Sequence, residues 1–321
     1  MSECVDSSRI PFVWSLRRSR EWRKCPRGCF FRCYAAQGGH EPGVGDRETE
    51  QLHLLRALLS VPEYRRKTLN LEMRRRFYSV GDPDDPVPEE EEKPSSEPSS
   101  APAPLAAAVL RRFDREWRAM LLGLPAGDHR LPMLAELLDP RVASFEGLRR
   151  EIAAELAAEA EALEAGGWGE LEALPVGGRR PIDSPLFVDA GELRCCTAPL
   201  VALRRHGELW IVDGADPPPE EEPFTALLHR LWAMNRAATP PDRVRSFALT
   251  PATGALREFG HSLEISETMR RLFADAAAML EAVPADGKVK AADFPAAASP
   301  ELCRACVYRS FCGSAPASVT K

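Results

Sequence analysis

The chain has 321 residues, 44% of them hydrophobic, with a formal net charge of −6. That length can bury a full core, in two sub-domains, and no apolar run reaches the roughly 18–20 residues needed to cross a bilayer. No apolar stretch follows the early charges, so no secretory signal is expected. Nine cysteines without one point to metal binding or core packing in a cytoplasmic protein, not to disulfides.

In chain order, Ser15 to Tyr34 is predicted helical, interrupted or restarted at Pro26. Glu48 to Leu59 and Pro62 to Tyr78 are the next helices. Residues 79–104 form an acidic linker: Asp82 to Pro98 hold eight acids and one lysine, a composition that cannot bury a core and is expected to stay disordered. Leu105 to Leu122 and the Ala/Glu/Leu-rich Phe145 to Glu164 are helical, the second stopping at Gly166-Gly167. Leu186 to Val188, a turn, and Leu193 to Leu203 read as a hairpin. Leu209 to Val212 is a buried central strand. Phe224, Leu227, Leu228, Leu231 and Trp232 mark an amphipathic helix. Val244 to Leu249 and Ala255 to Phe259 are strands, and Ser266 caps a last helix that runs to Val283. The expected organisation is a helical segment (1–78), the linker (79–104), a helical region (105–168), an α/β core (169–284) and a C-terminal cysteine segment (285–321).

Charge is uneven along this order. Residues 1–34 carry eight basic against three acidic side chains, and Arg65-Arg66-Lys67 and Arg74-Arg75-Arg76 follow. Arg17, Arg18, Arg20, Arg23, Arg27, Arg65, Arg66 and Lys67, interleaved with Trp14, Trp22, Phe30, Phe31, Tyr34 and Tyr64, suit phosphate and base contacts. Solvated helix faces are the bland alternative. The acidic linker is suited to fold over the same basic face.

The cysteines carry the sharper signal. Cys303, Cys306 and Cys312 form a C-x2-C-x5-C cluster near the C-terminus, and Cys25 stands alone near the other end. Four thiolates suit a [4Fe–4S] cluster or a structural zinc ion. Cys25, Cys29 and Cys33 are spaced to share a helix face, although core packing is the simpler account of the last two.

Together these features resemble the PD-(D/E)XK nuclease superfamily, in its RecB/AddB-like branch with an iron–sulfur staple. The resemblance rests on Trp22, Cys25-Pro26-Arg27 and Phe30-Phe31, on Phe187 to Asp213, and on the C-terminal cysteine triplet. It spans about four-fifths of the chain and implies a mixed sheet flanked by helices, with Cys25, Cys303, Cys306 and Cys312 holding a [4Fe–4S] cluster, zinc being the alternative. The family's active site uses a His, two acids and a Lys, with Mg²⁺ or Mn²⁺ activating water. In this chain the His position falls on Asn70, the first acid on Leu200, the second on Asp213 and the Lys on Ala215. The Gln and Tyr of the following helix fall on Thr225 and His229. Only Asp213 is retained. The expectation is therefore a pseudonuclease that binds nucleic acid, DNA first, or scaffolds a DNA-processing or defence complex. The rival is an active metal-dependent nuclease whose site is rebuilt from Asp183, Asp189, Glu192, Asp216 or Glu220. An electron-transfer role lacks any flavin or partner signature.

Overall fold

The computed structural model describes residues 5–6, 12–36, 47–78, 103–122, 133–138, 142–180, 182, 185–190, 193–260, 267–284, 287–297, 299–304 and 306–312. The acidic linker Asp82–Pro98, the Ser266 cap, Asp183 and Glu192 lie outside them. The helices are α1 (Leu16–Lys24), α2 (Pro26–Phe30), α3 (Arg47–Ala57), α4 (Val61–Tyr78), α5 (Leu105–Leu121), α6 (Phe145–Ala165), α7 (Gly167–Glu172), α8 (Glu222–Ala237), α9 (Glu267–Glu281) and α10 (Pro300–Arg304). The strands are β1 (Val5–Asp6), β2 (Leu58–Leu59), β3 (Met133–Leu134), β4 (Arg179–Arg180), β5 (Leu186–Ala190), β6 (Leu193–Thr197), β7 (Val201–Arg205), β8 (Glu208–Asp213), β9 (Val244–Thr250), β10 (Ala255–Phe259) and β11 (Lys288–Val289).

The helix ends follow from local chemistry. The Ser15 hydroxyl accepts the Arg18 amide at 3.2 Å and starts α1. Cys25 must be extended because Pro26 follows it, so α1 ends there and α2 begins with Pro26 in its first turn. Beyond Phe30 the backbone widens into a π-helical turn, Phe31–Ala35. Ser144 caps α6 by accepting the Gly147 amide at 3.0 Å.

The main sheet has the order β10-β9-β8-β7-β4. β7 and β8 form an antiparallel hairpin through His206 and Gly207, which both have positive φ, as a tight two-residue turn requires. Through α8 the chain crosses over to β9, which lies parallel to β8, and β10 closes antiparallel. The fold is thus α/β with a mixed sheet. One expected element breaks in two: the second arm of the predicted hairpin ends at Thr197 and resumes at Val201. β5 and β6 pair only with each other among the named strands, in a separate two-stranded sheet. Pro199 lacks the N–H that a continuous ladder needs. Trp14 extends that small sheet, donating to Arg194 O at 2.7 Å and accepting from the Cys196 amide at 2.8 Å.

Strand alternation divides the interior between two faces. Ala202, Leu209, Ile211 and Val244 pack with Trp14, Phe30, Phe31, α8, α9 and the C-terminal segment. Val201, Leu203, Val212, Phe247 and Leu249 pack with Tyr64, Met73, Phe113, Leu156, Leu163 and Trp168 of the α4–α7 helices. The helices of 105–168 therefore share a core with the sheet. Between α4 and α5, buried Arg112 bridges Glu72 and Glu116, and Glu116 also accepts the Tyr64 hydroxyl at 2.7 Å. Such a network is costly to break by removing one member.

The β9–β10 turn is pressed onto α6. Gly254 has a φ of +67°, and a Cβ there would lie 1.9 Å from Ala162 O, whereas Gly207, with φ +79°, has open space around it. Gly207→Ala should therefore cost about 1–2 kcal/mol of left-handed strain alone, and Gly254→Ala at least twice that, because backbone must also move. Thermal denaturation of the two variants checks this; equal losses would contradict the close approach.

Candidate metal centre

The C-terminal segment reaches Cys25 through an aromatic seam. Phe294 packs against Trp22, Phe30 and Tyr34 with centroids 5.2–6.1 Å apart, and Tyr308 stacks on Phe31 at 5.7 Å. The Arg27 guanidinium donates to Phe294 O at 2.9 Å, and the Arg27 amide to Pro295 O at 3.1 Å. As N-cap of α2, Cys25 presents its sulfur to two amides, Gly28 at 3.3 Å and Ala297 at 3.4 Å. Those donors sit at opposite ends of the sequence, and both bonds end on the one sulfur.

The other three thiols arrive on tight turns. The Cys306 amide donates to Cys303 O at 3.3 Å and the Cys312 amide to Tyr308 O at 3.1 Å. Cys25, Cys303, Cys306 and Cys312 line one cavity of about 520 Å³, together with Arg17, Arg20, Lys24, Arg32 and Arg309. Burial pushes the Cys306 thiol up, and the neighbouring Cys25, Cys312 and Cys303 add to this. A bound cation reverses that repulsion. Glu21 and Glu63 line the same cavity and pair with Arg17 and Arg32, which leaves Lys24 and Arg309 to meet the charge of a four-thiolate centre, and the four sulfurs fit the implied metal group.

A second set of donors adjoins it. The Cys29 and Cys33 sulfurs lie 3.6 Å apart. Glu21 brings a carboxylate oxygen near both, all three ligand atoms lying within 4.8 Å of one another, so this group could hold a metal ion. Among the described residues no other three such side chains come so close, and hence no three of the four cavity sulfurs do. The hydrogen bond between the two thiols separates them: Cys33 is pulled down, to about 7, with Arg18 assisting, and Cys29 is pushed up by the same bond and by burial. The sequence had placed Cys25, Cys29 and Cys33 on one helix face. The break at Cys25 removes it from that row, and Glu21, on a different helix, had no spacing signal to reveal it.

Some of the positions that the resemblance assigns to a nuclease site neighbour one another. Asn70 abuts the end of β8: a Cβ on Gly214 would fall 2.1 Å from Asn70 Oδ1, a buried oxygen without a hydrogen-bond partner. The Leu200 amide donates to Val212 O at 2.7 Å, and its side chain is buried in the core shared with α4–α7. Asp213 Oδ1 stands 3.5 Å from His229 Nε2, and His229 Nδ1 stands 3.0 Å from Ser246 Oγ. Thr225 bonds its own helix, giving its hydroxyl to Glu221 O. No third His, Cys, Asp or Glu among the described residues joins Asp213 and His229 within 4.8 Å. Ser246 and His229 are both buried, so their chain to Asp213 offers a substrate no nucleophile. Of the rival acids, Asp216 is held by Arg257 and Thr250, and Asp189 and Glu220 are exposed at separate places.

Most of the basic residues expected to meet nucleic acid are engaged within the protein. Arg17 pairs with Glu21 and Glu63, Arg20 with Glu221, Arg23 with Asp275, and Arg65 with Glu155 and Glu159. Arg18 donates to Val13 O and lies over the Phe12 ring. Arg66 and Lys67 are exposed on α4 and carry no such pairing among the described residues.

The contact between Asn70 and Gly214 is testable by a double-mutant cycle. Gly214→Ala should destabilise the chain, and Asn70→Ala in the same protein should restore part of the loss, with a coupling of about 0.5–3 kcal/mol in denaturant unfolding. Strict additivity would show that the two positions do not touch. Compared with known proteins, the chain matches no family model, no curated protein and no solved structure.

Proposed function

We propose that this chain is an iron–sulfur-stapled, catalytically silent relative of the PD-(D/E)XK nucleases that binds nucleic acid or scaffolds a nucleic-acid-processing complex. The observation that carries the reading is the meeting of Cys25 with Cys303, Cys306 and Cys312 around one cavity. When bound, a [4Fe–4S] cluster supplies four metal–thiolate bonds and ties the chain ends together. The chain's own residues do the rest. Cys25 offers a sulfur polarised by two amides, Lys24 and Arg309 on the cavity wall offset the charge of the centre, and the aromatic seam holds the C-terminal segment against α2. The spacing of the sulfurs favours a cluster over zinc. Four thiolates on one zinc ion stand about 3.8 Å apart, and no three of these come within 4.8 Å. A cube of iron and sulfide holds its thiolates at separate corners.

Catalytic silence rests on the region around Asp213. Hydrolysis of a phosphodiester by this chemistry needs a firmly held divalent ion and a cation beside the attacking water. Leu200, Asn70 and Ala215 provide neither, and burying Leu200 adds about 1.5–3 kcal/mol of stability in place of a charged pocket. Nucleic-acid contact falls to the exposed Arg66 and Lys67 and to those arginines that can keep their carboxylate while touching a phosphate.

Anaerobically purified protein should contain iron and sulfide in stoichiometric amounts, and Cys25→Ser should lose them as fully as Cys306→Ser. Zinc without iron would overturn the cluster, and a metal-replete Cys25→Ser would remove Cys25 from the ligands. The same preparation should leave single- and double-stranded DNA intact with Mg²⁺ or Mn²⁺ while retarding it on a gel at about 50 mM salt, with retardation falling steeply as salt rises. Cleavage abolished by Asp213→Ala would show a live nuclease, and no retardation at low salt would leave scaffolding alone.

A further inference from the structure

The seam between α1 and α2 contains donors that the four-cysteine centre does not use. Cys29 and Cys33 are almost fully buried, at 1% and 5% exposure. Hydrophobic packing accounts for two buried thiols. It does not account for a carboxylate oxygen within 4.8 Å of both sulfurs. Arg17 Nε donates to Glu21 Oε1 at 3.1 Å, Arg32 bonds the same oxygen, and Arg18 and Arg56 stand within electrostatic reach of Cys33. Buried anions need compensation.

The distances match one tetrahedral ion. Two thiolates on a zinc ion, at about 2.3 Å each, stand about 3.8 Å apart, and the observed separation is 3.6 Å. Both arginine bonds fall on Oε1, so the carboxylate can keep them while its other oxygen binds metal. Glu21 and Cys29 also line the 520 Å³ cavity, which gives a fourth ligand, water or a small anion, a way in. Two thiolates and a carboxylate against a divalent ion leave one negative charge, the same as Glu21 beside two neutral thiols, so filling the site leaves its balance with Arg17 and Arg32 unchanged.

We propose that Glu21, Cys29 and Cys33 form a second, mononuclear site for a thiophilic divalent ion of the zinc class, with three protein ligands and one exchangeable position facing the cavity. It shares no ligand with Cys25, Cys303, Cys306 and Cys312, and so stands whatever that quartet holds.

The test counts metal in the full chain. Anaerobic wild-type protein should carry one equivalent of zinc more than Cys33→Ala, with the iron content of the two unchanged. After zinc removal with a chelator, wild type should take up Co²⁺ with a thiolate-to-metal absorption band that Cys33→Ala lacks. Glu21→Gln keeps both thiols and the core volume, and should bind Co²⁺ on the order of 10–100-fold more weakly, which decides the matter if Cys33→Ala does not fold. Equal zinc and Co²⁺ uptake by wild type and Cys33→Ala, an unchanged Co²⁺ affinity in Glu21→Gln, or a Cys29–Cys33 disulfide in fresh anaerobic protein would each overturn the site.

Discussion

An aromatic seam holds the C-terminal cysteine segment against α2, so that Cys25, Cys303, Cys306 and Cys312 line one cavity. The proposed metal centre would close a loop of nearly the full chain length and constrain the unfolded ensemble by about 5–6 kcal/mol in the chain-entropy picture, comparable to the whole stability of an ordinary domain. The closure is not left to metal alone. Phe294 and Tyr308 dock on Phe30, Phe31 and Tyr34, and the Ala297 amide reaches Cys25, so the apolar seam itself places the C-terminal thiols beside Cys25. A single residue links the two devices: Pro26 forces Cys25 out of the helix and turns its sulfur into the cap of the next one.

The sheet behind this seam is covered on both faces, and under the proposed nuclease kinship that cover would keep the fold while a catalytic pocket is given up. Val201, Leu203 and Val212 bind the helical bundle, and Leu200 joins the same core. A carboxylate at position 200 would enter that apolar layer and require a metal or a proton to be tolerated. Leucine removes the requirement, in line with the usual trade between a strained active site and stability. What persists around Asp213 is a half-set: one carboxylate, one buried imidazole and one amide oxygen without a partner.

Much of the local structure was legible in the sequence. Ser15, Pro26 and the Gly166-Gly167 pair mark helix ends where caps and breakers belong, and the split cysteine pattern named four of the five thiols that line one cavity, missing Cys29. Long-range pairing was not legible. Arg20 and Arg23 read as a basic nucleic-acid face until Glu221 and Asp275 arrive from about 200 and 250 residues away. Glu21 lies eight residues before Cys29, but a change of helix intervenes, so no periodicity connects them. The break at Pro199 was legible too, had the absence of its N–H outweighed the alternation of its neighbours.

The central claim is that one metal centre joins the chain ends, and hydrogen–deuterium exchange tests it most directly. Metal-replete and metal-stripped protein should differ at residues 25–35 and at 294–312 together, with protection lost at both while β7 to β9 stay protected. Loss of protection at the C-terminal segment alone would contradict it, because Cys25 would then stand outside the centre.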